Sequence, residues 1–119
     1  MAKSGSVVIY HNPKCSTSKQ VLKMIEAAGR KPTIVEYLKV GWTKARLKQL
    51  FAAANLTPRE ALRAKAKEVE ELGLLGDRIT NAKILDAMVA HPVLVERPFV
   101  VTPKGTKLCR PKESVREVL

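Results

Sequence analysis

Two short apolar segments, Ser6–Tyr10 (SVVIY) and Thr33–Tyr37 (TIVEY), stand far enough apart to admit one helix with its turns and nothing more. The first is a short, continuous, β-branched run, the pattern of a buried strand. Between the two, Val21, Leu22, Ile25 and Ala28 recur at helical spacing. Asn12-Pro13 marks a turn, Ser16 or Thr17 can cap the helix, and Gly29 closes it. A helix of about a dozen residues between two strands fits a right-handed crossover joining a parallel pair. That opening commits the chain to the α/β class.

The remainder extends this frame. Thr43 can cap a second helix with Leu47, Leu50, Phe51 and Ala54 on one face. Thr57-Pro58 predicts a third, with Thr57 as cap, Pro58 at the first position, Glu60 completing a capping box and Arg63 on the helix. A short helix over 67–73 ends at Gly73, and Thr80 caps a longer one in which Ile84, Leu85, Met88 and Val89 face one way. Pro92 stops it, with His91 as its C-terminal residue. Strands return at Val93–Val95 and Phe99–Thr102, Lys107–Cys109 extends a hairpin, and Pro111 opens a last helix with Val115, Val118 and Leu119 inward. The order is β-α-β, a helical block over about 43–91, then β-β-α. It predicts one domain over 1–119, a small mixed sheet flanked by helices, with the helical block inserted after the second strand.

Composition narrows the partners. The chain has 119 residues, 45% hydrophobic, and a net charge of 22 − 11 = +11. A basic balance raises nucleic acid as a partner. Here the Lys and Arg residues are spread along the chain, interrupted by acidic ones as in REALRAKAKEVEEL, with few aromatics to stack on bases. Nucleic acid is therefore not expected, and an anionic small molecule is. No apolar run is long enough to span a membrane. MAKSGS followed by VVIY is too short for a signal-peptide core, so a cytoplasmic location is expected. Two cysteines far apart, no C-x-x-C and two histidines predict free thiols and no metal site.

The stretch HNPKCSTSK, residues 11–19, puts Cys15 where strand gives way to helix. Unpaired N–H groups at a helix start carry partial positive charge, which stabilises a thiolate and also attracts an external anion. His11 and Lys14 can lower the thiol pKa further. Spacing excludes two chemistries. A phosphatase-type C-x5-R would need arginine where Val21 and Val115 stand, and a dithiol would need cysteine where Ser18 stands. A monothiol doing redox work needs an outside thiol to resolve its intermediate. Arg63, Arg97 and Arg110 are candidate oxyanion ligands, because a guanidinium grips a tetrahedral anion bidentately. Arg97 precedes Pro98, in a connection where a cis bond is feasible. Taken alone, the cysteine can also be a small buried residue, and each arginine is more often a surface one.

Together HNPKCSTSK, ALR at 61–63, ELGL at 71–74 and HPVLVERPFVVTPKGTKLCRP at 91–111 resemble the glutaredoxin-coupled arsenate reductase family over about residues 7–119. The resemblance implies a thioredoxin-like fold with a helical insertion after the second strand. It implies that Cys15 attacks arsenate, that Arg63, Arg97 and Arg110 bind the oxyanion, and that His11 helps keep the thiol ionised. Ser18 matches a serine able to donate a hydrogen bond to the thiolate, and Pro98 a cis proline. Glutathione is the implied co-substrate and glutaredoxin the implied partner, with no bound cofactor or metal. Lys19 departs from the arginine of the family pattern, keeping the charge but not the fork. The alternatives are a glutathione-linked thiol oxidoreductase acting on another substrate, and a Spx-like regulator that binds RNA polymerase. Ser18 argues against the C-x-x-C switch of the latter. Cys109 is assigned no chemistry.

Overall fold

β1 (Val8–Tyr10), α1 (Ser16–Ala27) and β2 (Thr33–Val35) form the expected crossover in a computed structural model that describes residues 6–119. The segment MAKSG, which entered the export-signal reading, lies outside the described residues. The remaining elements are α2 (Tyr37–Val40), α3 (Lys44–Ala54), α4 (Lys67–Glu71), α5 (Asn81–Ala90), β3 (Phe99–Thr102) and β4 (Gly105–Leu108). The chain divides into two compact units. One runs up to Val40 and resumes over Arg97–Leu119; the other is Gly41–Glu96. Among the described residues no helix is long and apolar enough to cross a membrane.

The first unit carries a four-stranded mixed sheet of order β2-β1-β3-β4. β1 pairs parallel with β2 and antiparallel with β3, and β3 with β4 forms the hairpin. This is a thioredoxin-like arrangement of sheet and helices. Val7, Ile9, Val21, Ile25, Val100, Cys109, Val115 and Val118 bury one face of the sheet under α1 and the C-terminal segment. α1 ends as its sequence requires. Gly29 takes φ +78, its N–H donates to Glu26 O at 2.9 Å, and Arg30 N–H donates back to Ile25 O at 3.2 Å. Only a residue at ease with positive φ closes a helix in this way.

β2 is shorter than TIVEY predicts. His11 N–H donates to Val35 O at 2.8 Å, and the first strand then turns away at Asn12. The chain leaves the ladder after Val35 and coils into α2 from Tyr37. The closing helix also differs. Lys112–Glu117 is a 3-10 helix, with Pro111 before it rather than inside it. Val115 and Val118 are three apart and both buried, a spacing that three residues per turn satisfies. Thr102 Oγ1 donates to Val118 O at 2.6 Å and ties the segment to β3.

The second unit holds α3, α4 and α5. Thr43 caps α3 by accepting from Arg46 N–H at 3.1 Å, and Thr80 caps α5 by accepting from Lys83 N–H at 3.2 Å, both as expected. Gly73, at φ +64, ends α4. The predicted third helix is aborted. Its capping box forms, with Thr57 N–H donating to Glu60 Oε1 at 2.9 Å and Glu60 N–H to Thr57 Oγ1 at 3.2 Å. Leu62 then enters a β-bridge with Val95, and Arg63 N–H donates to Leu94 O at 2.7 Å instead of to a helical carbonyl. Val95 makes that bridge alone, because Pro92–Leu94 is a 3-10 turn and not a strand. Val89 faces outward, more than a third exposed, while Ile84, Leu85 and Met88 are buried.

Candidate active site

Strand register gathers the candidate residues of the first unit at one end of the sheet. Tyr10, the last residue of β1, pairs with Phe99, the first of β3, which pairs with Leu108, the last of β4. His11 follows β1, Arg97 precedes β3 and Arg110 follows β4, so all three leave the sheet at the same edge. The connection from β1 returns to that edge at the start of α1. Arg97-Pro98 and Arg110-Pro111 are both cis. Arg110 Nη1 donates to Arg97 O at 3.1 Å, and Cys109 N–H donates to Pro98 O at 2.9 Å. These bonds hold the two arginines side by side across the open end of the hairpin.

Cys15 itself takes the N-cap position of α1, where Ser16 or Thr17 was expected. Its backbone is extended, its carbonyl accepts the first helical bond from Lys19 N–H at 3.0 Å, and the side chain is buried. Burial pushes the thiol pKa up. Against it act the Ser18 N–H, the Arg97 guanidinium by charge and by hydrogen bond, and the Thr17 N–H, and together they hold the thiol below its ordinary value. The sulfur closes no capping hydrogen bond of normal geometry, so the N–H groups act on it chiefly as oriented dipoles. A thiolate at a helix start, beside a guanidinium, is an activated nucleophile next to an anion site.

Asn12, which sequence reasoning passed over, builds the turn that presents the sulfur. Its Oδ1 accepts from Lys14 N–H at 3.0 Å and its carbonyl accepts from Cys15 N–H at 3.0 Å. Its own N–H donates to Ser18 Oγ at 3.1 Å. In the sequence the Asn-Pro pair signals only a turn, yet asparagine is the residue whose side chain can replace a backbone carbonyl in such a turn.

Ser18 and His11 are bonded to each other in the loop. Ser18 Oγ lies 2.6 Å from His11 Nδ1 and accepts from Asn12, so its hydroxyl is engaged by the loop, and its backbone N–H is the group that acts on the thiolate. His11 is buried, and that desolvation lowers its pKa. Glu36 pulls it up and Lys19 pushes it further down, with a net lowering. The lowering favours the neutral ring. In a neutral ring protonated at Nε2, Nδ1 accepts from the Ser18 hydroxyl. Arg63 belongs to the second unit, where its N–H is fixed by Leu94 O. Among the described residues no three His, Cys, Asp or Glu side chains gather as a metal site.

Two measurements follow from this geometry. Cys109 is fully buried, with desolvation raising its pKa to about 12, and its Sγ donates to Lys107 O at 3.6 Å. Iodoacetamide at pH 7 should therefore label Cys15 alone until the protein is unfolded. Equal labelling of both thiols in the native protein would mean that burial does not separate their reactivity. The second concerns pH. A base whose folded pKa is lowered binds fewer protons folded than unfolded as pH falls. Its contribution to stability is complete above its unfolded pKa of about 6.5 and declines below it. Urea midpoints of the native protein should drop between about pH 6.5 and 5. His11→Gln should flatten that slope, and an unchanged slope would assign it to other groups.

A profile of the ArsC family matches residues 10–118. An arsenate reductase of Synechocystis, ArsI2, is 58% identical over 113 residues, which span 95% of this chain and 81% of that protein. The arsenate reductase of Escherichia coli K12 is 46% identical over 115 residues, 97% of this chain and 82% of that one. Among solved structures, an arsenate reductase from Vibrio cholerae superposes with a TM-score of 0.93 at 37% identity, covering 98% of this chain and 100% of the other.

Proposed function

The chain belongs to the ArsC family, and from that premise we propose that it reduces arsenate to arsenite, with Cys15 as nucleophile and glutathione and glutaredoxin as reductants. The observation that supports this most directly is a single activated thiol, buried at a helix N-terminus beside Arg97.

The chemistry follows from the residues. The Cys15 thiolate attacks the arsenic atom, an S–As bond forms and an oxygen leaves as water after protonation. Arg97 and Arg110 hold the remaining oxygens and balance the charge that accumulates on them. For Arg63, in the second unit, the resemblance alone supports a part in this set. Ser18 supplies its N–H to the sulfur, while Asn12 and His11 hold the loop that aims it. The glutathione thiol then displaces a second oxygen as water, giving an S–As–S species. A glutaredoxin thiolate attacks the glutathione sulfur. The As–S bond breaks, its electron pair stays on arsenic, and As(V) becomes As(III) while a mixed disulfide forms. Hydrolysis of the Cys15–As bond restores the thiol. In sum, arsenate and two thiols give arsenite, a disulfide and water. No second cysteine is needed in this chain, which fits Ser18 at the position of a resolving thiol. The cytoplasm, where thiols stay reduced, is the compartment this cycle requires.

The test is arsenite production from arsenate by the purified protein with glutathione and glutaredoxin. Turnover supports the reading. Its absence from protein whose Cys15 still alkylates at pH 7 would overturn arsenate as substrate, in favour of a glutathione-linked enzyme acting on another anion.

A further inference from the structure

We propose that a cleft between the first turns of α1 and residues 110–113 binds the charged backbone of a peptide thiol, the class to which glutathione belongs. The proposal rests on the reading that an external thiol completes the cycle, and it assigns that thiol a place. The cleft is lined by Thr17, Gln20, Arg110, Pro111, Lys112 and Glu113, and its volume is about 260 Å³. That lies just below the range of about 300–1,000 Å³ for sites that enclose a whole drug-sized ligand, so it suits part of a tripeptide whose thiol projects out of it.

Thr17 lends its N–H to the Cys15 sulfur from the α1 side of the cleft. Arg110 lines the cleft and is bonded to the Arg97 carbonyl, and Arg97 acts on the same sulfur. The cleft thus begins where the anion site ends. A molecule seated in it need only extend its thiol past Arg110 to reach an arsenic atom held on Cys15.

Arg110 and Lys112 suit carboxylates, Glu113 suits an ammonium, and the Gln20 carboxamide can both donate to and accept from a peptide group. Cations and a carboxylate in so small a space match a zwitterion, not a simple anion. A hollow of about 350 Å³ on the same unit, lined by Met24, Ala27, Ala28, Arg116 and Leu119, offers a single cation and no carboxylate. It lacks the means to recognise an ammonium.

S-methylglutathione, which cannot react, isolates binding from chemistry. Titrated into the isotope-labelled protein, it should shift the backbone amides of Gln20, Lys112 and Glu113 saturably. Lys112→Glu should weaken binding about fivefold or more, the factor expected for losing roughly 1 kcal/mol from one solvated ion pair. Lys23→Glu makes the same change of net charge on an exposed face of α1, and should weaken it less. Glu113→Gln should weaken S-methylglutathione but not its analogue lacking the α-amino group. Shifts confined to other residues, or equal weakening by Lys112→Glu and Lys23→Glu, would overturn the cleft. No arsenite is measured here, so failure to bind sinks the cleft and leaves the arsenate reading standing. Failure to form arsenite sinks that reading and leaves the cleft.

Discussion

Cys15→Ser protein should form no arsenite above background from arsenate, glutathione and glutaredoxin, a loss of at least about a thousandfold for removal of the nucleophile. The loss should come with no loss of fold. Cys15 is the N-cap of α1, and serine caps helices better than most residues, because its oxygen accepts from the N–H two or three positions on. The same N–H groups that lower the thiol pKa would then be spent on a neutral hydroxyl. The substitution therefore removes the attacking atom and leaves the loop at least as well held, so that lost activity cannot be ascribed to a melted helix. Arsenite production and a thermal unfolding curve on the same preparation check both halves. Appreciable residual turnover would mean that another group attacks the arsenic, and the assignment of Cys15 would fall.

What the chain declared in advance and what it withheld separate along the range of the interactions. The β-α-β opening was legible because strand, turn, helix and glycine stop are each written within a few neighbouring residues. The caps at Thr43 and Thr80 were legible for the same reason. The aborted helix after Thr57 shows the limit. Its local signal was correct, since the capping box closes, but Leu62 and Arg63 are claimed by Val95 and Leu94, some thirty positions away. No local pattern announces such a partner. The site divides likewise. A cysteine at a helix start implies a lowered pKa from sequence alone. That the cysteine itself takes the cap, that Arg97 lies against it, and that the Ser18 hydroxyl serves His11 depend on how the loop folds back. His11 is the sharpest case. A histidine near a thiol invites the role of cation, yet burial lowers its pKa, and its ring bonds Ser18, which accepts from Asn12 in the turn.

Arg97→Ala should lower kcat/KM for arsenate by about 100-fold or more, the scale of removing a preorganised charge from a developing oxyanion. It should also move the pH profile of Cys15 alkylation to higher pH. The sign follows from the forces on the thiol. Burial already favours the neutral form, and the guanidinium is one of the groups that reverse it; without the guanidinium the proton is held more tightly and less thiolate is present at pH 7. Arg97 is buried, whereas Arg110 stands exposed at the mouth of the hairpin. Water screens Arg110, so Arg110→Ala should cost less in kcat/KM and shift the alkylation profile little. Arg97→Lys separates charge from shape. It should restore most of the thiol ionisation and only part of the turnover, because an ammonium attracts an anion without the two parallel donors that hold a tetrahedral one. Arg30→Ala removes the same charge from the far end of α1 and should leave both readouts near those of the native protein. Equal losses at Arg30 and Arg97 would mean that the net charge of +11, not a built site, draws the anion in.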